Sequence, residues 1–270
     1  MVITNFPISI LTVIIKRKRK MSSKKNIKKY GTDITNIGVN RIPTNLNRVG
    51  FVVINCYIGT RYSLGDGPMN DGYNMAKCLK RYGFQVFYIY DQKRNAFMEK
   101  LKFFLENVKR ELVVYYVGHG TSVADTDGDE DDQMDEAFVF VDGNVIDDEL
   151  VECVSNSKNT ESKVVFVSDC CHSGSIWDLQ GGDVNGRKLP DKLVSVSAAN
   201  DKQTAKQTVA ERMEQGMFTY NLMKTLKADP DMTAVECKKR LATALRRYAQ
   251  TVTIASTTPE LLNEPLFLNQ

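Results

Sequence analysis

The sequence predicts an α/β protein built on a mainly parallel sheet. Three observations carry that expectation. Between residues 51 and 117, short β-branched or aromatic runs alternate with amphipathic ones, in the order strand, helix, strand, helix, strand. The segments 111–120 (ELVVYYVGHG) and 163–174 (KVVFVSDCCHSG) each read as a buried strand that breaks off into polar residues. Open α/β sheets carry their chemistry at the C-terminal ends of such strands.

Each element follows from a local pattern. Phe51 to Ile54 reads as the first sheet strand, and a glycine-rich loop runs from Gly59 to Gly67. Met69 to Leu79 reads as a helix capped by Asn70 or Asp71, with Met75, Cys78, Leu79 and Tyr82 toward the sheet and Gly83 as its stop. Phe84 to Tyr90 is the next strand. From Asn95, the residues Phe97, Leu101, Phe104, Leu105 and Val108 recur at three to four positions, while Lys100, Lys102, Glu106 and Lys109 fall elsewhere on the wheel. Leu112 to Val117 is the strand that carries His119.

Ala137 to Val141, followed by Asp142-Gly143, suggests a hairpin, and Asp147 suggests the cap of a short helix. Val164 to Val167 and Leu193 to Ala198 read as strands. Residues 178–191 read as a flexible loop, and residues 200–215 as polar and mobile. Phe218 to Leu226 and Thr233 to Tyr248 read as helices, the second with Val235, Leu241, Leu245 and Tyr248 as its apolar positions. Thr251 to Ala255 is the last strand.

Composition narrows the function. The net charge of +3 conceals an asymmetry: residues 1–30 hold nine Lys or Arg and no acid, leaving 27 bases against 33 acids beyond them, a net of −6. A mildly acidic globular part argues against nucleic-acid binding. Six cysteines without regular spacing do not form a disulfide framework, which favours a reducing, cytoplasmic compartment. Residues 1–15 are mostly apolar and are followed by five basic residues at 16–20. They are too short to span a membrane, and the charges stand on the wrong side for a signal peptide. An interfacial segment, a dispensable tail and a true start at Met21 all remain open; the basic cluster is also compatible with a nuclear address or with contact to a membrane surface. The expected division is a tail and surface-draped segment over 1–48 and one domain over 49–270.

The chemistry centres on two strand tips. Cysteine alone offers a useful thiolate fraction near neutrality, and a strand-to-helix turn lowers its pKa further. Cys171 is the candidate nucleophile, with Cys170 alternating back toward the core. His172 is adjacent, but neighbouring side chains at a turn diverge, so His119 on the other tip is the better base. The backbone N–H groups of Gly120 and Cys171 are the expected oxyanion donors. No acid is placed to orient His119, which points to a dyad steadied by a backbone carbonyl. Asp169 leaves its strand on the same side as Cys171; an acid there suits recognition of a cationic substrate side chain. Against all this stands the ordinary alternative that Cys171 is a small buried apolar side chain and the histidines are incidental.

Residues 125–148 hold eleven acids. Their glycine is misplaced for a helix–loop–helix calcium site, so the choice lies between calcium in another arrangement and a solvated acidic loop.

Taken together, Tyr116-Val-Gly-His-Gly120, Asp127-Gly-Asp-Glu130 with Asp135-Glu136, Ile146-Asp-Asp-Glu149 and Asp169-Cys-Cys-His-Ser-Gly174 resemble the metacaspases, cysteine endopeptidases of the caspase-like clan. The resemblance runs from about Phe51 to the C-terminus. It implies a caspase-like, mostly parallel central sheet flanked by helices on both faces, and a monomer. It implies a His119/Cys171 dyad that cleaves protein or peptide substrates after Arg or Lys, through a thioester acyl-enzyme. By motif match, Asp71 within Gly67-Pro-Met-Asn-Asp71 joins Asp169 in the first specificity pocket. Calcium, as an activator that orders loops, would be bound by Asp135, Asp147, Asp148 and Asp178. Val117 and Pro68 depart from the residues usual at those points, which leaves open a catalytically impaired scaffold that binds calcium or partners. Gly186-Arg-Lys188 and residues 202–212 are basic candidates for self-processing.

Overall fold

The computed structural model describes residues 26–124, 134–159, 161–170, 176–177, 179, 182–184, 187–199, 207–210, 213–248 and 250–268. The strands are β1 (Thr32–Asp33), β2 (Leu46–Ile54), β3 (Gln85–Tyr90), β4 (Val108–Val117), β5 (Gly120–Ala124), β6 (Met134–Phe140) and β7 (Gly143–Ile146), then β8 (Lys163–Asp169), β9 (Asp183–Val184), β10 (Arg187–Lys188), β11 (Leu193–Ala199), β12 (Gln207–Ala210), β13 (Met213–Gly216) and β14 (Thr251–Ser256). The helices are α1 (Gly67–Arg81), α2 (Arg94–Asn107), α3 (Asp147–Ser155), α4 (Met217–Ala228) and α5 (Ala234–Leu245).

Seven strands form the central sheet in the order β1-β3-β2-β4-β8-β11-β14. Every neighbouring pair is parallel except β11 with β14. Side chains along a strand alternate between faces, and the core divides accordingly. Val52, Ile54, Val113, Tyr115 and Val165 pack with Met75 and Leu79 of α1, Leu222 and Leu226 of α4, and Leu241 and Leu245 of α5. Phe51, Val53, Leu112, Val114 and Phe166 face the other way, against Phe97, Leu101 and Phe104 of α2 and Leu150 and Val154 of α3. Helices therefore cover both faces, which is why the central strands are apolar throughout.

The predicted elements occur at their predicted places, with informative differences. The first sheet strand begins at Leu46, and residues before 49 do more than lie on the surface: Thr32–Asp33 adds an edge strand, and Ile27 and Ile34 are buried. Helix α1 starts two residues earlier than expected, with Asp66 as N-cap. Asp71 lies inside the helix and caps nothing. Pro68 occupies the first turn, where its missing N–H costs no hydrogen bond. Gly83, at φ 81°, follows the helix as the sequence suggests.

Ile146, not Asp147, is the N-cap residue of α3; Asp147 is its first helical residue. Lys100 is buried, although the wheel placed it off the apolar face. Val235, expected inward on α5, is 48% exposed, and Ala234 and Cys237 are the buried residues there. Residues 207–210 and 213–216, expected to be mobile, pair antiparallel as β12 and β13, and β13 lies against α1. Within 178–191, β9 pairs antiparallel with β10. No helix among the described residues is long and apolar enough to cross a membrane.

Candidate active site

Strands β4 and β8 are neighbours, with Val117 paired in register to Asp169. The segments carrying His119 and Cys171 therefore leave the same end of adjacent strands, two residues further on in each. Parallel strands lie about 4.8 Å apart. Cys171, His172 and Asp178 lie outside the described residues. Cys170 is buried on the α2/α3 side, where the alternation put it. Nearby, Trp177 stacks on Phe166 with ring centroids 3.7 Å apart and donates through Nε1 to Ser168 Oγ at 3.1 Å.

His119 is partly exposed and held at three points. Its backbone N–H donates to the Tyr57 hydroxyl at 2.8 Å, and its carbonyl accepts from the Tyr116 hydroxyl at 2.7 Å. Its ring Nε2 lies 2.8 Å from the carbonyl oxygen of Tyr62. A carbonyl only accepts, so Nε2 carries the proton in the neutral ring and Nδ1 keeps the free lone pair. A backbone carbonyl, and no acid among the described residues, is the partner of this ring nitrogen. Gly118 has to be glycine, because a Cβ there would lie 2.8 Å from the Tyr57 hydroxyl and 3.0 Å from that of Tyr116.

Gly120 opens β5, the outer strand of a three-stranded sheet. Val139 N–H donates to the His119 carbonyl at 3.1 Å, which makes Gly120 and Phe138 a pair without mutual hydrogen bonds. The Gly120 N–H therefore points away from β6.

On the α1/α4 side of the same strand tips lies an acid pair. Asp71 and Asp169 are 2% and 5% exposed. Asp71 Oδ2 accepts from Gly216 N–H at 2.8 Å, and its buried Oδ1 makes no hydrogen bond among the described residues. Asp169 Oδ2 accepts from the Thr219 hydroxyl at 2.6 Å and the Thr219 N–H at 3.2 Å, and the Tyr115 hydroxyl lies 2.6 Å from Thr219 Oγ1. With Thr219 donating to Asp169, the Tyr115 hydroxyl is the donor to Thr219. Burial, and then the charge of Asp169, push the Asp71 carboxyl well above the usual carboxylate range; burial also raises Asp169. A Cβ on Gly216 would stand 2.7 Å from Asp169 Oδ2 and 3.1 Å from Asp71 Oδ2, so only glycine lets β13 come this close.

The expected calcium acids fit a cation in charge and only partly in arrangement. Asp135 is buried on β6, and Asp147 Oδ2 accepts from Glu136 N–H at 3.1 Å. Burial, with Glu136 and Asp135 adding repulsion, raises the Asp147 carboxyl to about 7, a strain a cation would relieve. Asp148, however, lies 4.0 Å from Arg187 Nη1, and no three His, Cys, Asp or Glu side chains among the described residues converge on a metal position.

Sequence reading missed the roles of Tyr57, Tyr62, Gly216 and Thr219. Tyr116 and Gly118 stood within the quoted motif but without an assigned task. Tyr57 and Thr219 had no local signal, since their partners are 62 and 50 residues away.

Comparisons with known proteins place the family. A family model described as Caspase domain, of peptidase family C14, matches residues 51–264. A relative named Metacaspase-1A from Neurospora crassa is 31% identical over 162 residues, covering 48% of this chain and 35% of that protein. Metacaspase-1 of Yarrowia lipolytica is 23% identical over 287 residues, covering 78% and 62%. The chain thus spans about a third to three-fifths of these relatives' length. A crystal structure of a Geobacter sulfurreducens protein, at 20% identity, superposes with a TM-score of 0.63 over 83% of this chain and all of that one, a likeness of fold. With the family model matched across most of the chain and relatives that are metacaspases, the chain belongs to the caspase-domain family of cysteine peptidases.

Proposed function

We propose that this chain is a cysteine endopeptidase that cleaves peptide bonds after Arg or Lys. The observation that carries the specificity is the buried pair Asp71/Asp169, with an unpartnered oxygen and both carboxyls raised by burial. Burying two acids together is costly unless a cation arrives, and a substrate guanidinium or ammonium is such a cation.

In the proposed mechanism Nδ1 of His119 takes the Cys171 thiol proton, and the thiolate adds to the scissile carbonyl carbon. The developing oxyanion is met by the N–H groups of Gly120 and Cys171. Collapse breaks the C–N bond, and His119 passes its proton to the leaving amine, which leaves a thioester. Water, deprotonated by the same imidazole, hydrolyses the thioester and restores the thiol.

Calcium is part of the proposal as an activator outside the chemical steps, bound by Asp135 and Asp147 together with Asp148 and Asp178. Calorimetric titration checks it: Asp135→Ala is expected to weaken calcium binding and the calcium response of activity together, and an unchanged titration removes the site. We also propose a monomer acting on proteins or peptides in a reducing compartment, cytoplasmic or nuclear, where Cys171 stays a thiol.

The test is hydrolysis of peptides bearing Arg, Lys or Asp before the cleaved bond, with and without calcium, beside Cys171→Ala. Cleavage after Arg and Lys that Cys171→Ala abolishes is the expected result. Activity that survives the substitution, or that is confined to Asp peptides, refutes it. No activity in the parent favours the scaffold alternative that Val117 and Pro68 raise.

A further inference from the structure

We propose that Tyr57 is a positioning residue for the catalytic base, locked in place by Asp91. The inference rests on the peptidase reading for its kinetic consequence, but its geometry stands apart from it.

The loop brackets His119 from both ends. At its start, the Tyr57 hydroxyl accepts the His119 backbone N–H at 2.8 Å and donates to the Val139 carbonyl at 2.8 Å. The two rings also lie against each other, with centroids 4.9 Å apart and planes at 33°. At its end, the Tyr62 carbonyl receives the ring Nε2–H. Thr60 ties the two ends together: its hydroxyl donates to the Tyr57 carbonyl at 2.8 Å and accepts Tyr62 N–H at 3.2 Å.

Tyr57 holds this position on left-handed backbone. Its φ is 53°, in the left-handed region that costs a side-chain-bearing residue on the order of 1–3 kcal/mol and persists where the surroundings over-determine it. Asp91 supplies that determination. One carboxylate oxygen, Oδ1, accepts the N–H groups of both Cys56 and Tyr57 at 2.7 Å, and the Asp91 N–H donates to the Ile54 carbonyl at 2.9 Å. Asp91 itself has φ 44°. The tips of β3, β2 and β4 are successive in the sheet, so the chain Asp91–Tyr57–His119 crosses three neighbouring strand ends. The Tyr62 carbonyl on the ring Nε2–H leaves Nδ1 with the free lone pair in the neutral imidazole.

A structural role alone would lower stability. A positioning role lowers turnover with substrate binding kept, and it changes the imidazole. The experiment uses the full chain, 15N-labelled at histidine; the two histidines are separated with His172→Gln. In the parent, ring-nitrogen NMR is expected to show His119 protonated at Nε2. In Tyr57→Phe, which keeps the ring, this signal is expected to give way to a mixture of tautomers, and kcat to fall on the order of 10- to 100-fold with KM within about twofold. Asp91→Asn keeps one acceptor oxygen and should lose less than Asp91→Ala. An Nδ1–H tautomer in the parent overturns the proposal even if the variants misfold. So does a Tyr57→Phe protein with parental tautomer and kcat. If the parent hydrolyses no peptide, the peptidase reading has failed, and the NMR result still decides the positioning claim.

Discussion

The central sheet has a buried charge cluster at each end, and the two are built on opposite principles. Glu111 and Lys163 are register partners at the start of β4 and β8; Val117 and Asp169 are partners six residues later, about 20 Å along the strands. At the first end every charge is answered. Arg48 reaches Glu111 Oε2 through Nε at 3.1 Å and Nη2 at 2.7 Å, and Glu111 Oε1 accepts Leu268 N–H at 2.9 Å. Lys163 donates to the Pro265 carbonyl at 2.6 Å, and Phe267 packs edge-on to Tyr82 and Phe84. Burial still raises Glu111 and lowers Lys163, so even this satisfied cluster serves more to pin residues 264–268 in one place than to add stability over an apolar one.

At the other end Asp71 and Asp169 lie together with donors but no cation from the described residues. Charge is closed at one end and open at the other, and the proposed function assigns a cationic substrate side chain to the open end.

The largest expected effect lies at the open end. Converting both Asp71 and Asp169 to Asn keeps the acceptors for Gly216 and Thr219 but removes the charge. We expect kcat/KM for an Arg peptide to fall on the order of 10²- to 10³-fold, the equivalent of about 3–4 kcal/mol, while the protein stays folded. A loss under tenfold in steady-state assays breaks the comparison.

At the closed end, Glu111→Ala strands Arg48 and frees the C-terminal segment. We expect a loss of about 3–5 kcal/mol in urea unfolding, with kcat per folded molecule unchanged.

A smaller effect sharpens the contrast through pH. A carboxyl raised on folding binds more protons in the native state than in the unfolded chain, so its stability is present in acid and is lost as pH rises through the folded value. Scanning calorimetry should show the parent losing stability as pH rises above the ordinary carboxylate range, because burial raises both Asp71 and Asp169. Asp71→Asn should flatten that slope, and agmatine, which carries the arginine head group, should raise Tm more at pH 8 than at pH 5. Agmatine that acts equally at both pH values, or a slope unchanged by Asp71→Asn, contradicts the open-cluster account.

The smallest effect concerns Lys100, whose ammonium is disfavoured by burial. Lys100→Met should change stability by less than about 1.5 kcal/mol, and in the stabilising direction.

What the sequence disclosed divides along similar lines. The strands β2, β3, β4, β8, β11 and β14 and the helices α1, α2, α4 and α5 were legible because period 2 and period 3.6 are local properties, and two hydrophobic layers demand them. The motif tips were legible because histidine, cysteine and glycine at strand ends are unusual. The pair β12 and β13 was not, because its polar residues carry no alternation, and Gly216 at the end of β13 is bonded to Asp71. Tyr57 was invisible for a deeper reason. Nothing in its neighbourhood announces a left-handed tyrosine, and the carboxylate that permits it comes 34 residues later. Lys100 and Val235 were misplaced because a helical wheel ranks polarity, while burial depends on what each turn packs against.

The most direct test compares two peptides identical except for Arg or its neutral isostere citrulline before the cleaved bond, assayed with the parent and with the double Asn variant. The account predicts that the parent prefers Arg by at least about 100-fold and that the variant loses this preference. Equal cleavage of both peptides by the parent would contradict it.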